Sequence, residues 1–208
     1  MGILKDWGIK PDEIDEILSS RPSLRGILMG FIAEYKISEL WFNDKRISNL
    51  VRYKNHDRTS LGDFGFSYKG ENITVQVKSL QTNSIRRTAS GLEGKFQCDA
   101  SDKRRVKLPN GEEIETTCLV VEGFDLLAVN IFQFSNRWEF AFAKNADLPR
   151  TKSRKYTPAQ QQYLLATLVR ITLPLQDPFR AEPFGILDEI VAERHKRQQD
   201  NVSSKGAP

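Results

Sequence analysis

The sequence predicts an α/β domain on three observations: a β-hairpin over residues 62–81, apolar runs later in the chain suited to buried strands, and helical segments at both ends. In the first hairpin arm Phe64, Phe66 and Tyr68 share one face, and Asp63, Gly65 and Ser67 share the other. The second arm sets Ile73, Val75 and Val77 against Thr74, Gln76 and Lys78, with a β-branched content that favours a strand. Lys69-Gly70-Glu71-Asn72 reads as the turn. Symmetric pairing about Gly70-Glu71 places Asp63 opposite Lys78 and Gly65 opposite Gln76, and directly opposed Cβ atoms lie roughly 4.5–5.5 Å apart. An acid, an amide and an ammonium then converge on one sheet face, with open space over Gly65. On periodicity alone such a trio is equally a solvated sheet face.

The other elements follow in chain order. Pro11 to Leu18 opens with proline and early acids, as short helices do. Over residues 24–35, Leu24, Ile27, Leu28, Phe31, Ile32 and Tyr35 recur at helical spacing and form a stripe for packing on a sheet, with Glu34 on its shoulder. Arg105 to Leu108 and Glu112 to Glu115 flank an Asn-Gly turn signal, which predicts a second hairpin. Leu119 to Val121 and Leu126 to Phe132 suit central strands, and Ser135-Asn136 turns the second run toward Trp138 to Ala143. Asp125, at the head of that run, reads as structural. Thr157-Pro158 starts a predicted helix through Val169, a second cover for the sheet, and a further helix is expected over residues 186–197. The expected organisation is one domain over 1–197 and a disordered tail over 198–208.

Asp63, Gln76 and Lys78, spaced Asp-x(12)-Gln-x-Lys on a hairpin ending in Val-Gln-Val-Lys-Ser, resemble the PD-(D/E)XK nuclease superfamily over roughly residues 20–135. The usual site there is Asp…Glu-x-Lys, and a minority branch carries Gln-x-Lys as this chain does. The resemblance implies a restriction-endonuclease-like three-layer core, with a mixed central sheet flanked by helices and extra helices at both termini. It implies a Mg²⁺- or Mn²⁺-dependent deoxyribonuclease of the type II restriction kind. Asp63 and Gln76 would hold the metal, Lys78 would orient water and offset phosphorane charge, and Glu34 would complete the site in place of the carboxylate that Gln76 replaces. The implied partners are double-stranded DNA and a second copy of the chain. A nuclease-fold DNA-binding subunit without turnover and a structure-specific repair or junction nuclease are the alternatives.

Composition agrees. The 208 residues, 39% hydrophobic, support one sizeable core, no apolar run is long enough for a membrane span, and Met1 to Lys10 lack the apolar core of a signal peptide. Cys98 and Cys118, with His56 and His195 as the other soft donors, are too few for a disulfide framework or a structural zinc site, which points to reduced thiols and a cytoplasmic setting. The formal net charge is only +4, but the cations cluster. Arg86 and Arg87, then Lys103, Arg104, Arg105 and Lys107, then Arg150, Lys152, Arg154 and Lys155 form three candidate phosphate-contacting patches. Ser79 and Gln81 lie just past the motif and extend the expected DNA surface. Phosphate-loop, dinucleotide-fold, zincin and nucleophile-elbow motifs are absent.

Overall fold

Alternation and turn chemistry build the central sheet of the chain. The computed structural model describes residues 2–53 and 62–205, with side chains through Asn201. His56 and residues 206–208 lie outside this set. Five strands, β1 (Ile47–Arg52), β2 (Phe64–Tyr68), β3 (Glu71–Ser79), β8 (Leu126–Asn130) and β9 (Phe140–Lys144), form a sheet in the order β1-β2-β3-β8-β9. All neighbours are antiparallel except β3 and β8, so the sheet is mixed. Helices flank it, as the sequence predicts.

β8 shows why the centre lies here. All five of its residues are buried, with Leu126 and Ala128 in one apolar core and Leu127 and Val129 in another. A strand covered on both faces reads as a continuous apolar run, and each fully buried leucine or valine contributes about 1.5–3 kcal/mol. The first core gathers Phe64, Phe66, Ile73 and Val75 under Ala33, Ile37 and Phe42, and under Leu187 and Ile190 of the C-terminal helix. The second lies beneath a three-stranded antiparallel sheet of β4 (Arg86–Thr88), β5 (Gly91–Gln97) and β10 (Leu168–Leu173). A two-stranded ribbon, β6 (Asp99–Lys107) and β7 (Glu113–Cys118), leaves the body as the predicted Asn-Gly hairpin.

Several expectations are corrected. The β2–β3 register is two residues from the symmetric one: Phe64 pairs with Val75 and Gly65 with Thr74, which brings Asp63 beside Gln76. The cause is the turn. Lys69 and Gly70 both have positive φ, 49° and 84°, the signature of a two-residue connection between Tyr68 and Glu71. A two-residue shift preserves facing, so the same polar side chains still converge.

The helix α3 (Pro22–Ile37) buries Ala33 and Ile37, and Gly30 is half-buried. Most of the predicted stripe faces outward instead, with Ile27 61% and Tyr35 62% exposed, while Ile32 is half-buried. α3 packs on β3 and gives Ala33 and Ile37 of its C-terminal half to the first core. It also packs beside α2 (Pro11–Ser20), the N-terminal helix the sequence predicts. Leu119 to Val121 is not a central strand and contributes only a single bridge, Val120 to Leu164.

The predicted helix over 157–169 is one turn, Pro158–Gln161, capped by Thr157. The chain then extends into β10, because Leu168 to Leu173 can alternate against β5 while Leu164 and Leu165 are fully buried. The last helix, α6, runs from Phe184 to Lys205, so the expected tail is helical up to Lys205. Asp125 is structural: its Oδ2 accepts from the Thr74 backbone N–H (2.8 Å) and hydroxyl (2.9 Å), while Arg194 of α6 donates to its Oδ1 (2.5 Å).

Candidate active site

β3 holds Gln76 and Lys78 on the face opposite its apolar residues, and Asp63 meets them from the chain entering β2. The Asp63 N–H donates to the Val75 carbonyl (2.8 Å), and its own carbonyl accepts from the Tyr53 N–H (2.9 Å). Its Oδ2 accepts from Gln76 Nε2 (2.5 Å) and from the Val77 backbone N–H (2.7 Å). Lys78 Nζ donates to the Asp99 carbonyl (2.9 Å), which ties the lysine to the start of β6. Glu34 arrives from α3. Arg52, the last residue of β1, donates to its Oε2 from Nε (3.0 Å) and Nη2 (2.7 Å).

Glu34, Asp63, Gln76 and Lys78 line one cleft of about 830 Å³. Its far wall is β6 with the turn after it, from Asp99 to Pro109, and Leu119 to Phe124 close one side. Lys103, Arg104, Arg105 and Lys107 therefore share a cleft with Asp63 and Lys78. Ser79, Gln81, Arg86 and Arg87 do not line it. Arg86 is engaged with buried Glu93, which Arg170 also grips (2.5 Å). Ser79 Oγ accepts from Asn130 (3.3 Å), and the backbone of Gln81 pairs with Lys95. In the third basic patch Arg150 donates to the carbonyls of Leu148 and Ala146, so part of that cluster serves the fold.

The carboxylates sit where negative charge is unfavourable. Burial pushes the Asp63 carboxyl above its ordinary range, against the opposing pull of the Val77 N–H and of Lys78 and Arg52. Glu34 is raised too, first by burial and then by the charge of Asp63, with Arg52 and Lys78 pulling the other way. Two coupled acids short of compensation, beside an amide oxygen, are hard oxygen donors of the kind Mg²⁺ takes. Among the described residues no group of three His, Cys, Asp or Glu side chains gathers, so any cation here relies on two carboxylates at most. Gln76 turns its NH₂ toward Asp63.

Tyr53 is the residue that sequence reasoning misses. A Cβ on Gly65 would lie 2.2 Å from the Tyr53 hydroxyl and 2.9 Å from its Cζ, so the space over Gly65 is filled by this phenol rather than open. A glycine inside an otherwise alternating strand marks such close approach, and that was the available signal.

No family model matches the chain, and no curated protein matches it. A solved structure of a bacterial homing endonuclease is similar over 68% of this chain and 86% of its own, with 16% identity and a TM-score of 0.32. No helix among the described residues is long and apolar enough to cross a membrane.

Two outcomes are expected. Gly65→Ala forces the Tyr53 ring out and lowers stability by about 1–3 kcal/mol, as measured by denaturant unfolding; in a Tyr53→Ala background the loss shrinks, and an equal loss in both would rule the ring out as the obstacle. Asp63 has a raised folded pKa, so the wild type loses stability as pH rises from the unfolded value through the folded one. Metal-free Asp63→Asn should therefore melt higher than wild type at neutral pH, with the advantage fading once the pH falls below the ordinary carboxylate range. A lower melting temperature at neutral pH would refute this account.

Proposed function

We propose that the chain is a Mg²⁺-dependent DNA endonuclease of the type II restriction kind, cutting phosphodiester bonds in the cleft between β3 and β6. The observation that carries the reading is the meeting of Asp63, Gln76, Lys78 and Glu34 at the foot of a strand bearing four cations. Asp63 and Glu34 would hold the cation, with Gln76 joining through its amide oxygen once the amide inverts. The cation, Mg²⁺ or Mn²⁺, would polarise the phosphoryl oxygen and lower the pKa of water.

The residues do the rest. Lys78, steadied by the Asp99 carbonyl, orients the attacking water and offsets charge as the phosphorane forms. Water oxygen bonds to phosphorus, the bond to the leaving sugar oxygen breaks, and a proton passes to that oxygen. Cations on β6 hold the backbone in place.

A second reading has its own support. Gln76 is neutral and spends its NH₂ on Asp63, while Glu34 is taken by Arg52, an arrangement that suits a DNA-binding protein without turnover. Cleavage of plasmid and genomic DNA by the purified protein in Mg²⁺, in Mn²⁺ and in EDTA separates the two. Metal-dependent products that fall by about 10²–10³ in Lys78→Ala are expected. Binding without cleavage in any metal, with activity appearing in Gln76→Glu, would establish a retired site. Branched and linear duplexes side by side distinguish a structure-specific nuclease.

Cutting both strands calls for two clefts, and hence a homodimer. Ile17, Leu24, Ile27, Leu28 and Tyr35 form an exposed apolar face of α2 and α3, and it runs into the cleft through Phe31, itself exposed and lining the cleft. A second copy seated there brings a second cleft beside the first. Leu24→Glu with Ile27→Glu should yield a monomer by light scattering that nicks rather than cuts duplexes; an unchanged mass would remove this face as the interface.

A further inference from the structure

Arg104 differs from the other cations of the cleft wall. β6 leaves Lys103, Arg105 and Lys107 exposed but half-buries Arg104 and Val106. Among the described residues, Arg104 Nε is the one solvent-shielded side-chain nitrogen or oxygen without a hydrogen-bond partner, and no carboxylate lies within ion-pair distance of Arg104 there. Arg104 pairs with Thr116 of β7, a fully buried residue anchored by the Tyr156 hydroxyl at 2.6 Å. Burial alone depresses its pKa.

A guanidinium drawn out of water without a counter-charge is unfavourable, and native structures retain such a group where something completes it. The cleft it lines also holds Asp63, Gln76 and Lys78. A planar guanidinium can bind two phosphate oxygens at once, whereas an exposed lysine supplies a point charge. We propose that Arg104 grips the reacting phosphodiester through its non-bridging oxygens, while Lys103, Arg105 and Lys107 hold flanking phosphates.

This assignment rests on the nuclease reading of the cleft, yet it has signatures of its own. Arg104→Met keeps the stem and removes the unpaired charge, so the DNA-free protein should melt about 2–4 °C higher. Its cleavage at saturating DNA should fall by about 10²–10³. The slope of log affinity against log salt, measured with a linear duplex in EDTA, should shrink by about one. Arg104→Lys should keep the slope and recover only part of the cleavage. The triple variant Lys103→Ala, Arg105→Ala, Lys107→Ala should lose about three from the slope.

A lower melting temperature in Arg104→Met would make the residue structural and overturn the proposal, as would wild-type cleavage by that variant at saturation. If the wild type cleaves in no metal, the nuclease reading fails. The slope and melting comparisons then still decide whether Arg104 holds a phosphate.

Discussion

The cleft depends on β3 being paired along both edges. Its antiparallel bonds to β2 bring Asp63 beside Gln76, and its parallel register with β8 sets Gln76 against Leu127 and Lys78 against Val129. β8 is buried on both faces, so β3 has little freedom to slip. A one-residue slip would turn Ile73, Val75 and Val77 out of the core and Gln76 and Lys78 into it. The apolar half of β3 thus fixes where its polar half points.

That rigidity lets the protein keep charge where it is uncomfortable. Asp63 and Glu34 are half-buried and repel one another, and the groups that relieve them, Arg52, Lys78 and two N–H donors, do not fully compensate. A loosely packed site would relax by drawing in water or by moving the carboxylates apart. Here one Asp63 oxygen is held by a strand amide and Glu34 lies beside the anchored end of α3, so the strain persists as an electrostatic deficit aimed at the cleft.

Much of this was legible in the sequence, for identifiable reasons. β2, β3, β6 to β9 and α2 announce themselves by alternation, apolar runs or turn residues. The hairpin register was not legible to two residues, because Lys69-Gly70 and Gly70-Glu71 are both chemically reasonable turn centres and only the backbone distinguishes them. Strand β1 was hidden because Asn49 takes a positive φ of 53° and the pairing with β2 shifts between Ser48 and Val51, which breaks the alternation. The helix expected over 157–169 runs into the first two residues of β10 because short apolar runs satisfy both periods, and the partner of β10, β5, with glycines at 91 and 94, carries a weak strand signal. On α3 the apolar stripe is real, but amphipathicity says only that a face prefers to leave water, not which partner covers it.

Charge was the least informative signal in bulk and the most informative in detail. A net charge of +4 hardly separates a DNA-binding protein from any other. The pairing of each cation does. Arg86 and Arg170 are committed to Glu93, Arg194 to Asp125, Lys144 to Glu189 and Glu193, and Arg52 to Glu34. Lys103, Arg104, Arg105 and Lys107 have no ion pair among the described residues, and all four line the cleft that holds Asp63 and Lys78. Cations balanced within the fold have little left for a ligand, whereas cations left unbalanced around a concave surface focus their field into it. The sign of that field, meeting two half-buried carboxylates at its base, is the arrangement that the proposed reading, a polyanion delivered with a divalent cation, requires.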